Sequence, residues 1–414
     1  MSTKARLHFH SDCEFFAGCE RLMPLLWNSE SVLETYSMTF SYRAYPRYED
    51  ELERFLPKCI KTFTLSGNTP KLRRRENSPF KYLDKIYRLR HKTFAVFMYY
   101  PRFMLDVLHV YRILQGVKPT ILHLNNGGFP GARSVRAAAV AGRLVGCSKI
   151  IMVVNNITVP YASVLRILDY PIDAVVKRCT TKFVTGSTVG RIALISVLRI
   201  NDSKVEQIPN AAARPVPKSS RDSVRQSQNV DQDKIVVGLV GLLEERKGHY
   251  FFLEALDTVL RANPELRSSV RVWFVGDGPL ESRLQELVKQ YGLSPTVAFL
   301  GYRQDHLDLV NAMDIIVLPS IRDEDSPLIT LEAMALAKPV IVSRVAGLVE
   351  QVQDGYSGFL VKPGDADELG QRLNQLLTSA ENRREFSKTA HKLYEEKFSP
   401  GGFIDRYMRL YAQL

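Results

Sequence analysis

The most informative segment of this chain is Ile315-Ile-Val-Leu-Pro-Ser-Ile-Arg-Asp-Glu-Asp-Ser-Pro-Leu-Ile-Thr-Leu-Glu-Ala-Met-Ala335. Its first four residues are all apolar, which predicts a short buried strand that ends at Pro319. A polar loop follows, and an apolar pattern with helical spacing begins near Leu328. The segment therefore predicts a strand, a loop and a helix, with Glu324 in the loop and Glu332 near the start of the helix.

Two carboxylates beside the start of a helix favour a particular kind of ligand. Carboxylates accept hydrogen bonds from hydroxyl groups, and a helix N-terminus attracts phosphate through its free amides and its dipole. A ligand that is rich in hydroxyls and also carries phosphate would satisfy both features. A nucleotide sugar fits this description.

Strand and helix patterns alternate on both sides of this segment. After residue 233 the predicted strands are Ile235–Val240, Val270–Val275, Val297–Leu300, Ile315–Leu318 and Val340–Val342. Before it, the alternation is less regular, with a helix at Ala132–Val145 and strands at Ile121–Leu124, Ile150–Val154 and Lys182–Val184. Alternation with short loops predicts parallel, doubly wound sheets, so we expect an α/β chain of two Rossmann-like domains that face a central cleft.

A polar stretch separates the two halves. Residues 215–233 have almost no apolar periodicity, which indicates an interdomain linker. We therefore predict an N-terminal domain over 1–214, a C-terminal domain over 234–396 and a terminal helix over 397–414. This last helix has an apolar stripe that would pack on a neighbour and could cross back to the first domain; the stripe contains Phe403, Ile404, Tyr407, Met408 and Tyr411.

Composition argues against several classes of protein. The five cysteines are scattered and form no Cys-x-x-Cys pair, which disfavours a disulfide framework or zinc site and favours a reducing compartment. The N-terminus lacks the apolar core of a signal peptide, so we expect a cytoplasmic protein. The apolar stretch Thr93–Tyr111 is interrupted by Pro101, Arg102 and Asp106 and fails as a membrane span. No zinc-finger, RNP or recognition-helix pattern supports nucleic-acid binding.

Positive charge is concentrated in the first half. Residues 1–215 contain 32 Lys and Arg against 16 Asp and Glu, and residues 216–414 contain 24 against 28. The net charge of +12 is thus the balance of +16 and −4, which suggests that the first half meets an anionic surface or substrate. Within it, Phe80–Lys92 predicts a basic amphipathic helix. Such a helix fits an anionic membrane surface, and it fits equally well an ordinary surface helix with a solvated basic face.

A series of short motifs resembles one enzyme family. The motifs occur in the family's order, and they are Gly241-Leu-Leu-Glu-Glu-Arg-Lys-Gly248, Gly276-Asp-Gly-Pro279, Phe299-Leu-Gly-Tyr302, Asp314-Ile-Ile-Val-Leu-Pro-Ser320, the pair Glu324 and Glu332, Lys338-Pro-Val-Ile341, Gly347-Leu-Val-Glu350, Asp354-Gly-Tyr-Ser-Gly358 and Pro363-Gly-Asp365. Over Val237–Asp365 the chain resembles the retaining glycosyltransferases of family 4, which have the GT-B fold, and in particular those of bacterial surface-polysaccharide synthesis. In the first half only Ala17-Gly-Cys-Glu20 and Ile208-Pro-Asn210 resemble the family.

The resemblance implies roles for residues of the second half. Glu332 would bind the ribose hydroxyls of the donor, and Glu324 would contact the hydroxyls of the donor sugar. Lys247 would neutralise the diphosphate as its bond to the sugar breaks, and the backbone amides of Leu328 and Ile329 would hold the diphosphate. At each charged position the alternative is an ordinary solvated side chain.

Two departures from the family pattern concern charge. Leu242 stands where the family carries an arginine, so Arg246 is the candidate to reach the diphosphate in its place. Asp323-Glu-Asp325 looks like the Asp-x-Asp metal motif of other glycosyltransferases, but it coincides with the loop that supplies Glu324. Because Lys247 and helix N-termini supply positive charge, we expect neither a metal ion nor a cofactor.

Candidates in the first half are fewer. Gly18 would let backbone approach the phosphates, unless it is a simple turn glycine. Relatives often carry His-x-His where this chain has His123 and Asn125, so either side chain is a candidate to face the donor, against a structural histidine as the alternative. We also expect Asn126 and Glu20 to lie near the sugar or the acceptor. For Glu20 the alternative is a solvated loop glutamate. The predicted catalytic residues are thus Glu324, Lys247 and His123.

These expectations describe a metal-independent, retaining hexosyltransferase. It would move a sugar from a nucleoside-diphosphate sugar to a saccharide acceptor, with a lipid-linked saccharide of O-antigen, capsule or lipopolysaccharide synthesis preferred, at the cytoplasmic face of the inner membrane. Two alternatives are a GT-B enzyme with a soluble acceptor and an inactive scaffold that binds a membrane or partner. Leu242 favours the scaffold, whereas Glu324, Lys247 and Glu332 argue against it.

Overall fold

The computed structural model describes residues 4–16, 18–66 and 97–414, and in it the chain divides into two units. Unit one comprises Met1–Thr185, Arg191–Glu206 and Leu410–Leu414, and unit two comprises Gly186–Gly190 and Gln207–Arg409. Unit two therefore begins before the predicted boundary at residue 214. The end of the last helix belongs to unit one, as the sequence analysis allowed.

Unit one is built on a parallel sheet. Over the described residues its strands lie in the order β3-β2-β1-β4-β5-β6-β7, with β1 (Ala5–Ser11) between β2 and β4. The remaining strands are β2 (Tyr36–Arg43), β3 (Lys61–Leu65), β4 (Ile121–Asn126), β5 (Lys149–Val154), β6 (Lys182–Thr185) and β7 (Val205–Gln207). The helices are α1 (Met23–Trp27), α2 (Glu30–Thr35), α3 (Pro46–Leu52), α4 (Tyr99–Val117), α5 (Arg133–Leu144), α6 (Val164–Leu168), α7 (Tyr170–Cys179) and α8 (Thr188–Leu198).

Helices α4 and α5 cover one face of this sheet. In α4 the buried residues Phe103, Val107, Val110 and Leu114 recur every three or four positions, so one side of the helix packs on the core. Helix α5 packs with small residues, which allow it to lie close to β4 and β5. The central strands β4 and β5 are buried along nearly their whole length, as expected for parallel strands covered on both faces.

Unit two contains a second parallel sheet, in the order β10-β9-β8-β11-β12-β13. Its strands are β8 (Ile235–Val240), β9 (Val270–Val275), β10 (Val297–Gly301), β11 (Ile315–Leu318), β12 (Val340–Ser343) and β13 (Gly358–Val361). Its helices are α9 (Arg221–Ser227), α10 (His249–Ala262), α11 (Leu266–Ser269), α12 (Glu281–Gln290), α13 (His306–Ala312), α14 (Leu328–Ala335), α15 (Leu348–Gln351), α16 (Ala366–Thr378), α17 (Ala380–Lys397) and α18 (Pro400–Gln413). The predicted strands of this half are confirmed to within one residue at each end.

The segment 215–233 is not the irregular linker that its composition suggested. It lies within unit two and contains α9, on which Arg225 is fully buried. The Arg225 guanidinium donates hydrogen bonds to the carbonyl oxygens of Ala312, Gln232 and Lys234 at 3.0, 3.1 and 2.9 Å, and it pairs with Asp314 at 2.6 Å. A polar residue therefore holds this segment to the sheet, where a pattern of apolar residues would normally mark a packed helix.

The sequence predicts no membrane span and one basic amphipathic helix. Among the residues that the structure describes, no helix is both long enough and apolar enough to cross a bilayer. The predicted amphipathic helix at Phe80–Lys92 lies outside the described residues, so it stays a prediction.

We predict that Arg225→Met destabilises unit two by about 3 kcal/mol or more, because it leaves buried carbonyl groups and Asp314 without their partner. The matched control is Arg221→Met, on the same helix and paired with the same carboxylate at 2.6 Å. Its side chain is 36% exposed, so we expect a loss of about 1 kcal/mol or less. Urea unfolding followed by tryptophan fluorescence measures both, and equal losses would contradict this account of the segment.

Candidate functional site

Loops that follow β8 and β11 bring three predicted residues together in unit two. The two strands are parallel neighbours, so their carboxyl ends lie at the same edge of the sheet. Glu324 Oε1 accepts hydrogen bonds from Arg246 Nη1 at 2.9 Å and from Lys247 Nζ. Ser320 Oγ donates to the same oxygen at 3.0 Å. One carboxylate thus gathers two cations at the position where the sequence analysis expected the donor.

Close backbone contact fixes the loop that carries the two cations. Gly248 has φ +71°, and a Cβ atom there would overlap the carbonyl oxygen of Pro319. The Ile321 amide, on the loop after β11, donates to the Arg246 carbonyl at 2.8 Å. Only glycine allows this approach, so the glycine after Lys247 sets the distance between the loop and Glu324.

The loop that carries Glu324 is held from its other side by the loop after β12. The Gly347 amide donates to the Glu324 carbonyl at 3.0 Å, and a Cβ atom at Gly347 would overlap the carbonyl oxygen of Asp325. Arg246 is held as well, since its Nε lies 2.6 Å from Glu244 Oε1. The backbone around Glu324 is therefore fixed by neighbours on both sides.

Helix α14 begins directly after this loop. Its N-cap residue is Pro327, and no side chain caps the helix. The first amides of an α-helix have no partner within the helix, and here they belong to Leu328 and Ile329. Glu332 lies on the same helix, is buried, and has its Oε2 at 3.5 Å from His306 Nε2. The strand, loop and helix predicted from this segment are confirmed.

The two aspartates that flank Glu324 have separate environments. Asp323 is exposed, with φ +58°. Asp325 is buried, and its carboxylate accepts hydrogen bonds from Ser187 Oγ and from the Gly186 amide, the latter at 3.3 Å. Burial raises the pKa of Asp325 to about 6. Asp325 therefore has a structural role in unit two that the sequence did not reveal, and in the described ranges no group of three or more His, Cys, Asp or Glu is placed to hold a metal ion.

In unit one the structure brings Glu20 and Asn125 together. Ser11 and Asn125 are paired across β1 and β4, so both lie at the carboxyl edge of the sheet. Glu20 Oε1 accepts hydrogen bonds from Ser11 Oγ at 2.6 Å and Asn125 Nδ2 at 3.0 Å, and Glu20 Oε2 accepts one from Tyr48 OH at 2.7 Å. Glu20 is thus a buried, fully hydrogen-bonded carboxyl, and the alternative of a solvated loop glutamate is wrong.

Burial also changes the acidity of this carboxyl. Desolvation raises the pKa of Glu20 from 4.5 to about 7, and its hydrogen bonds to Ser11, Tyr48 and Asn125 oppose this rise. The group therefore titrates near neutral pH. A carboxyl of this kind can orient a neighbouring hydroxyl or amide in either of its protonation states.

Three other candidates of the first half lie in different surroundings. His123 was expected at the end of its strand, but β4 continues to Asn126, so His123 lies in the middle. Its ring packs 4.8 Å from that of Phe9, its Nδ1 is hydrogen bonded to Tyr411 OH at 2.7 Å, and burial lowers its pKa to about 3. This geometry favours the structural alternative.

Asn126 and Gly18 have other hydrogen-bond partners than Glu20. The Asn126 side chain accepts a hydrogen bond from the Ala132 amide at 2.9 Å and donates one to the Pro130 carbonyl at 3.3 Å, so it stabilises the loop before α5. Gly18 is exposed, and its carbonyl accepts a hydrogen bond from the Arg21 amide at 3.2 Å. These contacts are structural: Asn126 joins the end of β4 to the loop before α5, and Gly18 takes part in a turn.

Sequence reasoning missed a buried histidine pair on β1. His8 and His10 are hydrogen bonded to Ser41 Oγ at 2.7 and 2.8 Å, and His10 Nε2 lies 3.1 Å from Ser134 Oγ. Burial lowers their pKa values to about 3 and about 4, so both rings are neutral at physiological pH. Their alternation within an apolar run was the available signal, since polar residues at every second position of a buried strand must be hydrogen bonded on one face.

The family of unit two follows from its sequence. Residues 220–393 match the family model described as glycosyl transferases group 1. Unit two contains a group 1 glycosyl transferase domain. This domain includes Arg246, Lys247, Glu324 and Glu332, and the resemblance expected over Val237–Asp365 is confirmed.

Curated relatives of this glycosyl transferase domain include two bacterial enzymes. The D-inositol 3-phosphate glycosyltransferase of Corynebacterium urealyticum is 29% identical over 208 residues, which cover 48% of this chain and 48% of the relative. The UDP-Gal:alpha-D-GlcNAc-diphosphoundecaprenol alpha-1,3-galactosyltransferase of Escherichia coli is 26% identical over 271 residues, which cover 64% and 68%. The chain spans about half the length of the Corynebacterium relative and of others that it matches at similar identity.

Solved structures show the fold of the whole chain. The crystal structure of Anabaena HepE in complex with UDP-glucose matches with a TM-score of 0.77 at 18% identity, over 99% of this chain and 100% of that one. The chain has the GT-B fold, as the sequence analysis expected.

We predict that Gly248→Ala destabilises the glycosyl transferase domain more than Gly355→Ala. Gly355 has nearly the same φ, +72°, but a Cβ atom there meets nothing within 4 Å. The left-handed conformation should cost each variant about 1 kcal/mol. The overlap with Pro319 should cost Gly248→Ala about 2 kcal/mol more. Urea unfolding measures the difference, and equal losses would show that the loops do not depend on close contact.

We predict that Glu20→Gln changes how stability depends on pH. Between about pH 4.5 and 7 the folded protein keeps a proton on Glu20 that the unfolded chain releases, so wild-type stability falls as the pH rises through this window. The variant lacks this titration. Its free energy of unfolding relative to wild type should therefore increase with pH, by up to about 3 kcal/mol.

Urea unfolding of both proteins at about pH 5 and about pH 8 tests this prediction. Because His8 and His10 are present in both proteins, their effect on the pH dependence of stability cancels in the difference. Glu34→Gln, an exposed position of α2, is the control and should retain the wild-type pH dependence. A Glu20→Gln curve parallel to that of wild type would show that Glu20 is already ionised at pH 5.

Proposed function

We propose that this chain is a retaining glycosyltransferase of family 4 that uses a nucleoside-diphosphate sugar. The observation that carries the proposal is the meeting of Arg246, Lys247 and Glu324 beside the first turn of α14, within a group 1 glycosyl transferase domain. The site combines two cations, uncapped helix amides and buried carboxylates. These are the groups that a diphosphate linked to a sugar and a ribose requires.

Each group has a distinct task in this proposal. The diphosphate lies against the amides of Leu328 and Ile329, where the helix dipole and the missing side-chain cap both favour an anion. Lys247 and Arg246 stabilise the charge that develops on the diphosphate as the bond to the sugar breaks. Arg246 thereby supplies the charge that the family arginine would supply at Leu242.

Glu332 and Glu324 bind the neutral parts of the donor. Glu332 accepts hydrogen bonds from the ribose hydroxyls, and Glu324 accepts them from the sugar hydroxyls. Glu324 exchanges one of its present contacts with the two cations for the donor, which releases positive charge toward the diphosphate. The same residue therefore connects sugar binding to stabilisation of the leaving group.

The transfer itself needs no nucleophile from the protein. The acceptor oxygen attacks the anomeric carbon from the face that the diphosphate leaves, so one carbon–oxygen bond forms as another breaks and the anomeric configuration is retained. The proton of the acceptor hydroxyl passes to an oxygen of the departing diphosphate. His123 is not used as a base, since it is buried, neutral and hydrogen bonded to Tyr411.

The acceptor binds unit one in this proposal, with Glu20 and Asn125 as the candidates to orient it. The excess of +16 over residues 1–215 supports an anionic acceptor, and a lipid-linked saccharide diphosphate has this charge. The name of the Escherichia coli relative describes such an acceptor and a UDP-sugar donor, and HepE was crystallised with UDP-glucose. UDP is therefore the first nucleotide to test, and peripheral contact with an anionic membrane is part of the proposal.

We predict that UDP stabilises the wild-type protein against heat and that Glu332→Gln loses this response. A nucleotide at about 100 times its dissociation constant should add roughly 2.7 kcal/mol. GDP, ADP and dTDP are measured beside UDP, because the base is read by contacts that the proposal does not specify. Glu254→Gln, an exposed glutamate of α10 in the same unit, is the control and should keep the response.

The outcomes separate the proposal from its alternatives. A response to one nucleotide that Glu332→Gln abolishes identifies the donor class, and proton NMR of the product from an α-linked donor then tests retention. No response to any nucleotide would contradict the proposal and favour a binding scaffold. Transfer to a soluble sugar but not to a lipid-linked one would keep the donor site and reject the acceptor.

A further inference from the structure

The first half of α4 exposes apolar side chains to solvent. From residue 97 to residue 108 every exposed position is apolar or aromatic, and these positions hold Phe97, Tyr100, Pro101, Met104, Leu105 and Leu108. Their spacing of three and four residues places them on one side of the helix. The second half of the same side is polar, with His109, Arg112 and Gln115 exposed. The apolar side therefore ends in the middle of the helix.

Neighbouring helices of unit one extend this surface. Tyr100 OH donates a hydrogen bond to the Leu168 carbonyl at 3.0 Å, which brings the end of α6 beside the start of α4. Ile167 is 55% exposed and Tyr170 is 58% exposed. We call the combined surface the apolar patch, and its members are Phe97, Tyr100, Met104, Leu105, Leu108, Ile167 and Tyr170. Single exposed apolar residues are common on proteins, but a continuous group of this size marks an interaction surface.

Negative charge is absent from the solvent side of these helices. The acidic residues from α4 through α7 that lie nearest the patch are Asp106, Asp169 and Asp173, and all three are buried. Arginines neutralise them: Asp106 pairs with Arg43 and Arg133, and Asp169 and Asp173 pair with Arg136 and Arg166. An anionic surface that approaches the patch would therefore meet no exposed carboxylate of α4, α6 or α7.

Positive charge is attached directly to one end of the patch. Residues 67–96, which join Phe97 through the chain, contain nine Lys and Arg against two Asp and Glu. An excess of seven positive charges therefore comes immediately before this apolar helix in the sequence. Apolar side chains that enter the acyl region, combined with cations that meet phosphate headgroups, are the two requirements for binding at an anionic bilayer surface.

We propose that the apolar patch is a bilayer-contact surface, with α4 lying in the plane of an anionic lipid surface. A second copy of the chain fits the patch less well, since both copies would carry the same excess of positive charge in their first halves. The biological purpose of this contact rests on the proposed function, because a lipid-linked acceptor would be embedded in such a surface. The contact itself depends only on unit one.

The test uses a tryptophan placed in the patch. The chain has two tryptophans, Trp27 and Trp273, and both are buried, with exposures of 0% and 1%. Leu105→Trp therefore adds the one exposed indole, at a half-exposed position that can accept it. Vesicles of equal parts phosphatidylglycerol and phosphatidylcholine should shift its emission to the blue, and vesicles of phosphatidylcholine alone should not. Gln115→Trp, on the polar end of the same helix, is the matched control and should show no shift.

A second variant measures affinity. Leu105→Gln/Leu108→Gln should weaken sedimentation with the anionic vesicles by roughly tenfold or more. Val216→Gln is the control, since Val216 is 79% exposed in unit two and should not affect vesicle binding. Equal emission shifts at positions 105 and 115, no shift with anionic vesicles, or a dimer that the double variant dissociates would each overturn the proposal.

Measuring the thermal response to UDP beside vesicle binding separates a failure of the bilayer surface from a failure of the proposed function. The double variant should retain the thermal response to UDP, because both leucines lie in unit one and the donor residues lie in unit two. A retained UDP response without vesicle binding would reject the bilayer surface alone. Vesicle binding without any nucleotide response would reject the transferase and leave the bilayer surface standing.

Discussion

Contact between backbone atoms at one edge of the second sheet is the constraint on which the donor site depends. The loops after β8, β11 and β12 approach so closely that Gly248 and Gly347 have no room for a Cβ atom. Such contact leaves the loops almost no freedom to shift. Glu324 is therefore held where Arg246 and Lys247 can both reach it, although it belongs to a loop. The arrangement is stiff before any ligand arrives, which reduces the ordering that binding must supply.

Charged side chains of the loops at this edge form ion pairs with one another. Arg246 is shared between Glu244 and Glu324, and Lys247 is paired with Glu324. A ligand with two phosphates can take over both cations, and the carboxylate then becomes available to hydroxyl groups. In unit one the Glu20 carboxyl is hydrogen bonded to hydroxyl and amide groups, and among the described residues it forms no ion pair. Desolvation therefore dominates and its pKa rises. The two sheets thus carry carboxyl groups of opposite character at their carboxyl edges.

How much could be predicted depended on how far apart the interacting residues are in sequence. Five strands of unit two were predicted to within a residue at each end, because parallel strands covered on both faces are continuous apolar runs, whereas β13 (Gly358–Val361) was not predicted. The roles of Lys247, Glu324 and Glu332 were predicted from motifs that occur in the order typical of the family. The role of His123 was missed because its partner, Tyr411, is 288 positions away. The burial of Arg225 was equally hidden, since the carbonyl groups that bind it leave no trace in side-chain composition. Local patterns therefore identified elements, and long-range polar contacts required the structure.

The short segment Gly186–Gly190 has a consequence for recombining such proteins. It follows β6 and includes the first three residues of α8, yet it is counted with unit two, where Asp325 accepts hydrogen bonds from its Gly186 and Ser187 and Glu350 accepts one from its Thr188. The chain thus passes from one unit to the other more than once, so a single cut in the gene does not separate the two units. A chimera that joins a foreign first half at residue 207 would replace these five residues and leave Asp325 and Glu350 facing a mismatched segment. Modular exchange among relatives should therefore transfer positions 186–190 together with the second half.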